Sequence, residues 1–466
     1  MAGKYIEGQS EILSGVYTVI KAAVNSVVMG TRGLVAYPFT ANWGVPNTLL
    51  DYSGANDFLG MYNASGNALS SCTIYKLAYA GKPKTVKGYR MATASAAKGI
   101  TVLNDTVGAK SLELETLYPS SRAFTAVVKD GLSGGKVIDI MEASVKLFTI
   151  EAATLADLEA GLNASDYVRV KSKGTLVPVN TAGTAFAGGS DGAVVTATEY
   201  TAFLDVMEAD GEANAFALDA VVDEAILTTA IAWTKRVRDD GFYITFVRGG
   251  AAAWDTNITA AHVLSKAANS NGVVNVGNGA DGFAAAEMAI FIAARVASVA
   301  LNATLTDEPT PYGLVNKKLK PAERKTAKLS GTIVFVQDGD NVLIDEAVNT
   351  LTTPAAGQAK EFGKIRINNA LDYITKDLEA FGNAYKRERS NTQEARITYA
   401  ATVETSYLRP LQNLEVLQPG YFYRTDPDYH GKDAVFHPAI DEAFFFSDLT
   451  PVDSMERIYQ KIGVNF

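Results

Sequence analysis

The chain has 466 residues, of which 47% are hydrophobic and 20% charged, a composition that builds buried cores and excludes a largely disordered polymer. Its formal net charge of −9 gives nucleic acid or an anionic membrane no general attraction. The single cysteine, Cys72, permits no internal disulfide and no cysteine-rich zinc site, and suits folding in a reducing compartment.

At about 100–200 residues per domain, the length predicts about two to four domains. The first residues carry no apolar core and no small-residue cleavage site, so no secretory signal is expected there. Gly15–Ile20 and Gly33–Tyr37 are β-rich runs bounded by glycine, predicting a strand–turn–strand opening. Between 93 and 178 the chain reads as short strands: Ser111–Tyr118, Phe124–Lys129, Lys136–Ile140, Val145–Ile150 and Tyr167–Val170. That density predicts a small β-sandwich. Residues 181–192 are rich in glycine, alanine and threonine and read as a loop.

Beyond this point the pattern alternates. Thr196, with Glu199 three residues on, predicts a capped helix to Glu208. Strands are expected at Ala215–Leu218, Tyr243–Val247 and Gly272–Val276, with helices at Glu224–Asp239, Asn257–Ala268 and Phe283–Ala303. This order predicts an open α/β sheet. The apolar run from Phe283 contains Glu287 and Arg295, which favours a buried helix over a membrane span. Thr332–Val336 and Asn341–Ile344 flank a tight turn, and helices are expected at 365–388 and Glu394–Leu411. The last residues alternate as a strand does, with no downstream partner.

Few motifs suggest chemistry. Gly277-Asn278-Gly279-Ala280-Asp281-Gly282 matches G-x-G-x-x-G between a strand and a helix, so a nucleotide-binding α/β enzyme is the alternative reading. Asp281 would oppose a phosphate, and a structural turn is the simpler account. His262 sits on an apolar helix with no activated-serine motif elsewhere, and reads as a packing residue. Asp426-Pro427-Asp428-Tyr429-His430 reads as a turn more readily than as a metal site. No catalytic, cofactor or metal residue is assigned. The 360–389 segment holds Lys360, Lys364, Arg366, Lys376, Lys386, Arg387 and Arg389 among five acids. It is either a solvated helix face or a docking face for an acidic partner. The two terminal strands pair either within the chain or with a neighbour's sheet.

Several segments, taken in order, resemble the tail sheath proteins of contractile phages and defective phage-like particles. They are Gly15-Val16-Tyr17, Arg32–Pro38, Trp43-Gly44-Val45-Pro46, Lys87-Gly88-Tyr89-Arg90 and Tyr118-Pro119-Ser120-Ser121-Arg122. Gly188-Gly189-Ser190-Asp191-Gly192, Ala293–Ala300, Asp345–Thr353 and Pro451–Tyr459 complete the set. Two departures concern loop detail: the Tyr118–Arg122 segment lacks a following Gly-Asn, and Ala347-Val348 stands where Gly-Ile is common.

The resemblance implies a non-enzymatic subunit of mixed α+β and α/β multidomain fold, without cofactor. It implies an arm at 1–25, an α/β domain at 26–92 and a β-sandwich insertion at 93–180. A subtilisin-like α/β domain without catalytic residues would follow at 181–345, then a C-terminal α/β domain at 346–457 and a strand arm at 458–466. Such subunits stack as sixfold rings around an inner tube protein, between baseplate and terminator proteins, in a virion or phage-like tail assembled in the bacterial cytoplasm. They contract to drive the tube through the target envelope, as in phages, bacteriocin-like particles or other contractile injection systems. Direct nucleic-acid contact and membrane insertion are not expected. Strand exchange would involve Gly15, Val16, Tyr17, Val19, Ile458, Tyr459, Ile462 and Val464. Lys360, Lys364, Arg366, Lys376, Lys386 and Arg387 would face the tube.

Overall fold

The computed structural model describes residues 32–54, 61, 70–132, 134–386 and 390–462. Two compact units emerge. One holds 32–369 together with 454–462, and the other holds Ala370–Asp453.

The first unit is organised by a seven-stranded sheet. Its strands run, in spatial order, Leu49–Tyr52, Thr85–Arg90, Leu34–Phe39, Ala215–Ala217, Thr245–Arg248, Val273–Val276 and Thr332–Ile333. All neighbours are parallel except Leu49–Tyr52, which runs antiparallel to Thr85–Arg90. Both faces are covered, which is why the central strands Leu34–Phe39 and Ala215–Ala217 are apolar throughout. Val35, Tyr37, Ala215, Ala217, Val247 and Val274 point into one core, with the helices Ser71–Ala80 and Ala285–Ser298. Ala36, Phe216, Phe246 and Val273 point into the other, against the helices Ala197–Asp210 and Glu224–Asp239.

The expected domains at 26–92 and 181–345 are therefore separate only along the sequence, because their strands lie side by side in one sheet. The capping box at Thr196 and Glu199 is present as expected. The helix expected at Phe283–Ala303 is shorter, Ala285–Ser298. Glu287 starts it by accepting from the Ala284 N–H at 2.7 Å.

The strand expected at Thr332–Val336 splits at Val334. Thr332–Ile333 ends the large sheet, while Phe335–Asp338 pairs with Asn341–Ile344 in a three-stranded one. Buried Asn278 bridges the break, accepting from Phe335 N–H at 2.8 Å and donating to Phe335 C=O at 2.9 Å.

The expected β-sandwich is present as two sheets sharing one core. Ile100–Asn104, Lys110–Thr116 and Val168–Lys173 form one; Thr181–Ala185, Phe124–Asp130, Lys136–Glu142 and Val145–Ala152 form the other. Bridges Ile100↔Ala187 and Ala97↔Ser190 link the sheets along one side. On the other side the helix Leu155–Asn163 packs Leu158 and Leu162 into the core. Thr181–Ala185, expected within a loop, is thus an edge strand: its side chains are too short for periodicity to betray it.

In the second unit the helix Ile365–Tyr385 enters from the first. The helix expected at Glu394–Leu411 is α-helical only over Gln393–Val403 and Arg409–Asn413, with a π-helical turn at Glu404–Leu408 between. Pro410 explains the widening. It has no N–H for the Ser406 carbonyl, and its ring would collide with that carbonyl in a regular turn. A two-stranded ribbon, Phe422–Thr425 with Phe445–Asp448, packs Tyr423 and Phe445 on Tyr399 of this helix.

Candidate functional site

Four of the sequence segments singled out above converge at the base of the 93–192 insertion. At their centre is Arg90, last residue of its strand and only 1% exposed. Its Nε donates to Ala41 C=O at 2.9 Å, Nη1 to Gly44 C=O at 2.5 Å and Nη2 to Pro119 C=O at 2.9 Å. One planar, fixed fork thus ties the Trp43–Pro46 loop and the Tyr118–Arg122 loop to the large sheet. Burial lowers the guanidinium pKa to about 10, with Asp191 opposing the shift, so it stays charged at neutral pH.

The loops also hold each other. Ser120 Oγ donates to Asn42 C=O at 2.5 Å. Asp191, 8% exposed, accepts from the Ser121 N–H at 2.8 Å and from the Ser121 hydroxyl. Gly189 passes so close that a Cβ would lie 2.3 Å from the Ser120 carbonyl oxygen, which no side chain could occupy. Trp43 packs edge-on against Tyr118 and Phe124, with ring centroids 5.3 and 5.2 Å away. The Arg122 guanidinium lies 5.0 Å over the Trp43 ring and pairs with Glu142 through two bonds of 2.8 and 2.5 Å. That pair holds the Glu142 carboxyl below its usual pKa. The polar groups of the cluster bond to one another, the hydroxyl of exposed Ser121 included. What it can do is transmit force between insertion and sheet.

The Gly277–Gly282 turn is also committed internally. Gly279 N–H donates to Asp255 at 2.7 Å and Gly282 N–H to Asn316 at 2.9 Å. Asp281 accepts from the N–H groups of Gly313 and Leu314. The donors a phosphate would need are taken. His262 is buried, 3.2 Å from Thr332 Oγ1, and burial lowers its pKa. Asp426, in the expected turn, instead caps the short helix Pro427–His430 by accepting from the Asp428 N–H at 2.9 Å, and His430 Nε2 accepts from Phe444 N–H at 2.9 Å. Among the described residues, no group of three or more His, Cys, Asp and Glu could hold a metal. Nor, among them, is any helix long and apolar enough to cross a membrane.

Comparison with known proteins agrees with this architecture. Residues 193–350 match the family described as phage tail sheath protein central domain. The phage-like element PBSX protein XkdK of Bacillus subtilis (strain 168) is 24% identical, over 99% of this chain and 99% of its own. Residues 193–350 thus carry a phage tail sheath central domain. Members are structural, not enzymatic, and are components of phage or phage-like tails. The sheath fold is also that of the sheath tail protein of Desulfitobacterium hafniense, with TM-score 0.69, 23% identity, and 94% of this chain and 100% of that one covered. The helical sheath of the anti-feeding prophage in its contracted state gives TM-score 0.57 at 11% identity, covering 98% of this chain and 100% of that one.

Of the strand-exchange candidates, Gly15, Val16, Tyr17, Val19 and Val464 lie outside the described residues. Ile458, Tyr459 and Ile462 are 68%, 89% and 84% exposed and, among the described residues, join no strand ladder. Their root is fixed at Glu456, which Lys364 Nζ meets at 2.8 Å and Thr306 Oγ1 at 3.2 Å. Of the basic candidates, Lys364 is committed to Glu456 and Arg366 is buried at 9% exposed. Lys386 is exposed and donates to Asn383 at 2.7 Å; Lys360 lies before the helix, in a short 3-10 turn; Lys376 is half-buried; Arg387 lies outside the described residues. Sequence reading noticed the Arg90 and Asp191 segments without assigning roles. The usable signal was a lone arginine ending an otherwise buried strand, which must find acceptors in the core.

Proposed function

We propose that this chain is a subunit that polymerises as stacked rings around an inner tube and contracts to drive that tube through a target envelope. One observation carries the reading. The ribbon Phe422–Thr425 with Phe445–Asp448 has two strands among the described residues, while the same chain presents the uncovered apolar string Met455, Ile458, Tyr459 and Ile462. A two-stranded ribbon is marginal alone and gains by adding strands. Residues 458–466 of a neighbour supply one, and residues 1–25 of another are the second donor. The Lys364–Glu456 pair fixes where each C-terminal arm leaves its own body. The bodies then change packing while the arms keep them joined. The 181–345 region works as a catalytically silent, subtilisin-like scaffold, and Lys360 and Lys386 meet the tube. The anti-feeding prophage baseplate, whose fold the chain shares at TM-score 0.55, supports attachment of the lowest ring to a baseplate.

The test is deletion of residues 458–466 from the full chain, co-expressed with its inner tube protein. Sedimentation and negative-stain microscopy are expected to find folded monomer and no tubes. Tubes at wild-type yield would overturn arm exchange.

A further inference from the structure

The charge of this acidic chain is unevenly placed. Between residues 317 and 328 stand Lys317, Lys318, Lys320, Arg324, Lys325 and Lys328 against the single acid Glu323. Lys317 pairs with Glu323, Arg324 with Asp345 and Lys328 with Glu346. Lys318, Lys320 and Lys325 are exposed and, among the described residues, pair with no acid. The helix they flank, Pro321–Leu329, buries only Ala327, and Leu314 and Leu329 are 59% and 66% exposed on the same stretch. This helix leads directly into Thr332–Ile333, one edge of the seven-stranded sheet.

The other edge has the opposite sign. Lys87 Nζ is buried there, 3.2, 3.0 and 2.7 Å from Asp51, Asp210 and Glu212. Burial works against its charge, yet the three carboxylates hold its pKa well above normal. Three carboxylates thus share one cation, and exposed Asp205 adds another negative charge on the helix that ends at Asp210. Across seven strands at about 4.8 Å spacing, the edges lie roughly 29 Å apart. That is several times the Debye length of about 8 Å at physiological salt, so neither patch neutralises the other within one molecule.

We propose that the Lys318, Lys320 and Lys325 face docks on the Asp205, Asp210 and Glu212 edge of a second copy of this chain. Opposite charge at opposite edges of one body joins copies head to tail, and such heterologous contacts generate rings or helices. The contact sets direction and register between bodies, independently of the terminal arms. It rests on the sheath reading.

The test uses the full chain with its tube protein. Lys318→Glu/Lys320→Glu/Lys325→Glu is expected to melt like wild type but to raise the concentration needed for polymer at least about tenfold. Asp205→Lys, which leaves the three partners of Lys87 in place, is expected to do the same. Mixing the two variants restores polymer, because each reversed patch then meets its complement. Wild-type polymerisation by the triple variant, or no rescue on mixing, overturns the inference and leaves the sheath reading standing. A triple variant that assembles alone but fails only with the tube protein also overturns it, in favour of tube contact. A wild-type chain that forms no polymer with its tube protein overturns the sheath reading and this inference together.

Discussion

Replacing Arg90 by methionine isolates the staple at the base of the insertion. The change keeps most of the aliphatic volume and removes the donors to Ala41, Gly44 and Pro119. Each buried carbonyl left without a donor costs about 1–3 kcal/mol. Against that, burial has already lowered the guanidinium pKa from 12.5 to about 10, which at 1.36 kcal/mol per unit returns about 3 kcal/mol when the charge is removed. The balance is a loss of about 3 kcal/mol. Arg90→Lys should recover less than half, because one ammonium cannot span three acceptors. Urea unfolding followed by tryptophan fluorescence is a direct assay, since Trp43 sits in the cluster. Hydrogen exchange at residues 97–100 and 117–122 should quicken in step. An Arg90→Met midpoint within about 1 kcal/mol of wild type would refute the staple.

Two further perturbations follow from the same core. Asp219 is fully enclosed, accepts from Tyr200 Oη at 2.6 Å, and burial raises its pKa to about 6 from the ordinary 3.8. The folded protein therefore keeps this proton to higher pH than the unfolded chain. The associated stability is full below about pH 4 and falls by about 3 kcal/mol as pH rises through 6. Asp219→Asn should flatten that part of the profile and melt higher than wild type at pH 8; an unchanged pH slope in thermal melts would reject the assignment. Gly279→Val would put a Cβ 1.8 Å from the Phe283 carbonyl oxygen, and should destabilise by about 3 kcal/mol or more. Wild-type protein screened against nucleotides should show no thermal shift, and a saturable one would reopen the phosphate-loop reading.

The parallel sheet was legible because its central strands are mostly apolar and its helices carry caps, as at Thr196 and Glu199. The helix Glu224–Asp239 was readable to its ends, where Asp223 caps one and the Arg236 and Arg238 side chains sit in the last turn of the other. Less legible were pieces whose identity depends on distant partners. Leu49–Tyr52 and Thr85–Arg90 are strands because Leu34–Phe39 stands beside the second of them. Thr181–Ala185 becomes one only by pairing with Phe124–Asp130. The staple illustrates the same limit. Its motif segments could be quoted from the sequence, but a guanidinium reaching from residue 90 to residues 41, 44 and 119 is a fact of tertiary structure.

The neck of the insertion has a topological consequence. The chain goes out and comes back through adjacent points: Ala97 bridges Ser190, and Ala193 N–H donates to Thr93 Oγ1 at 2.9 Å. A loop that closes on itself in this way can be lengthened or shortened at its exposed turns without altering the spacing of the strands that flank it. A foreign domain spliced in at the exposed Thr106–Gly108 turn would leave the Pro119 and Asp191 contacts in place and be displayed once per copy of the chain.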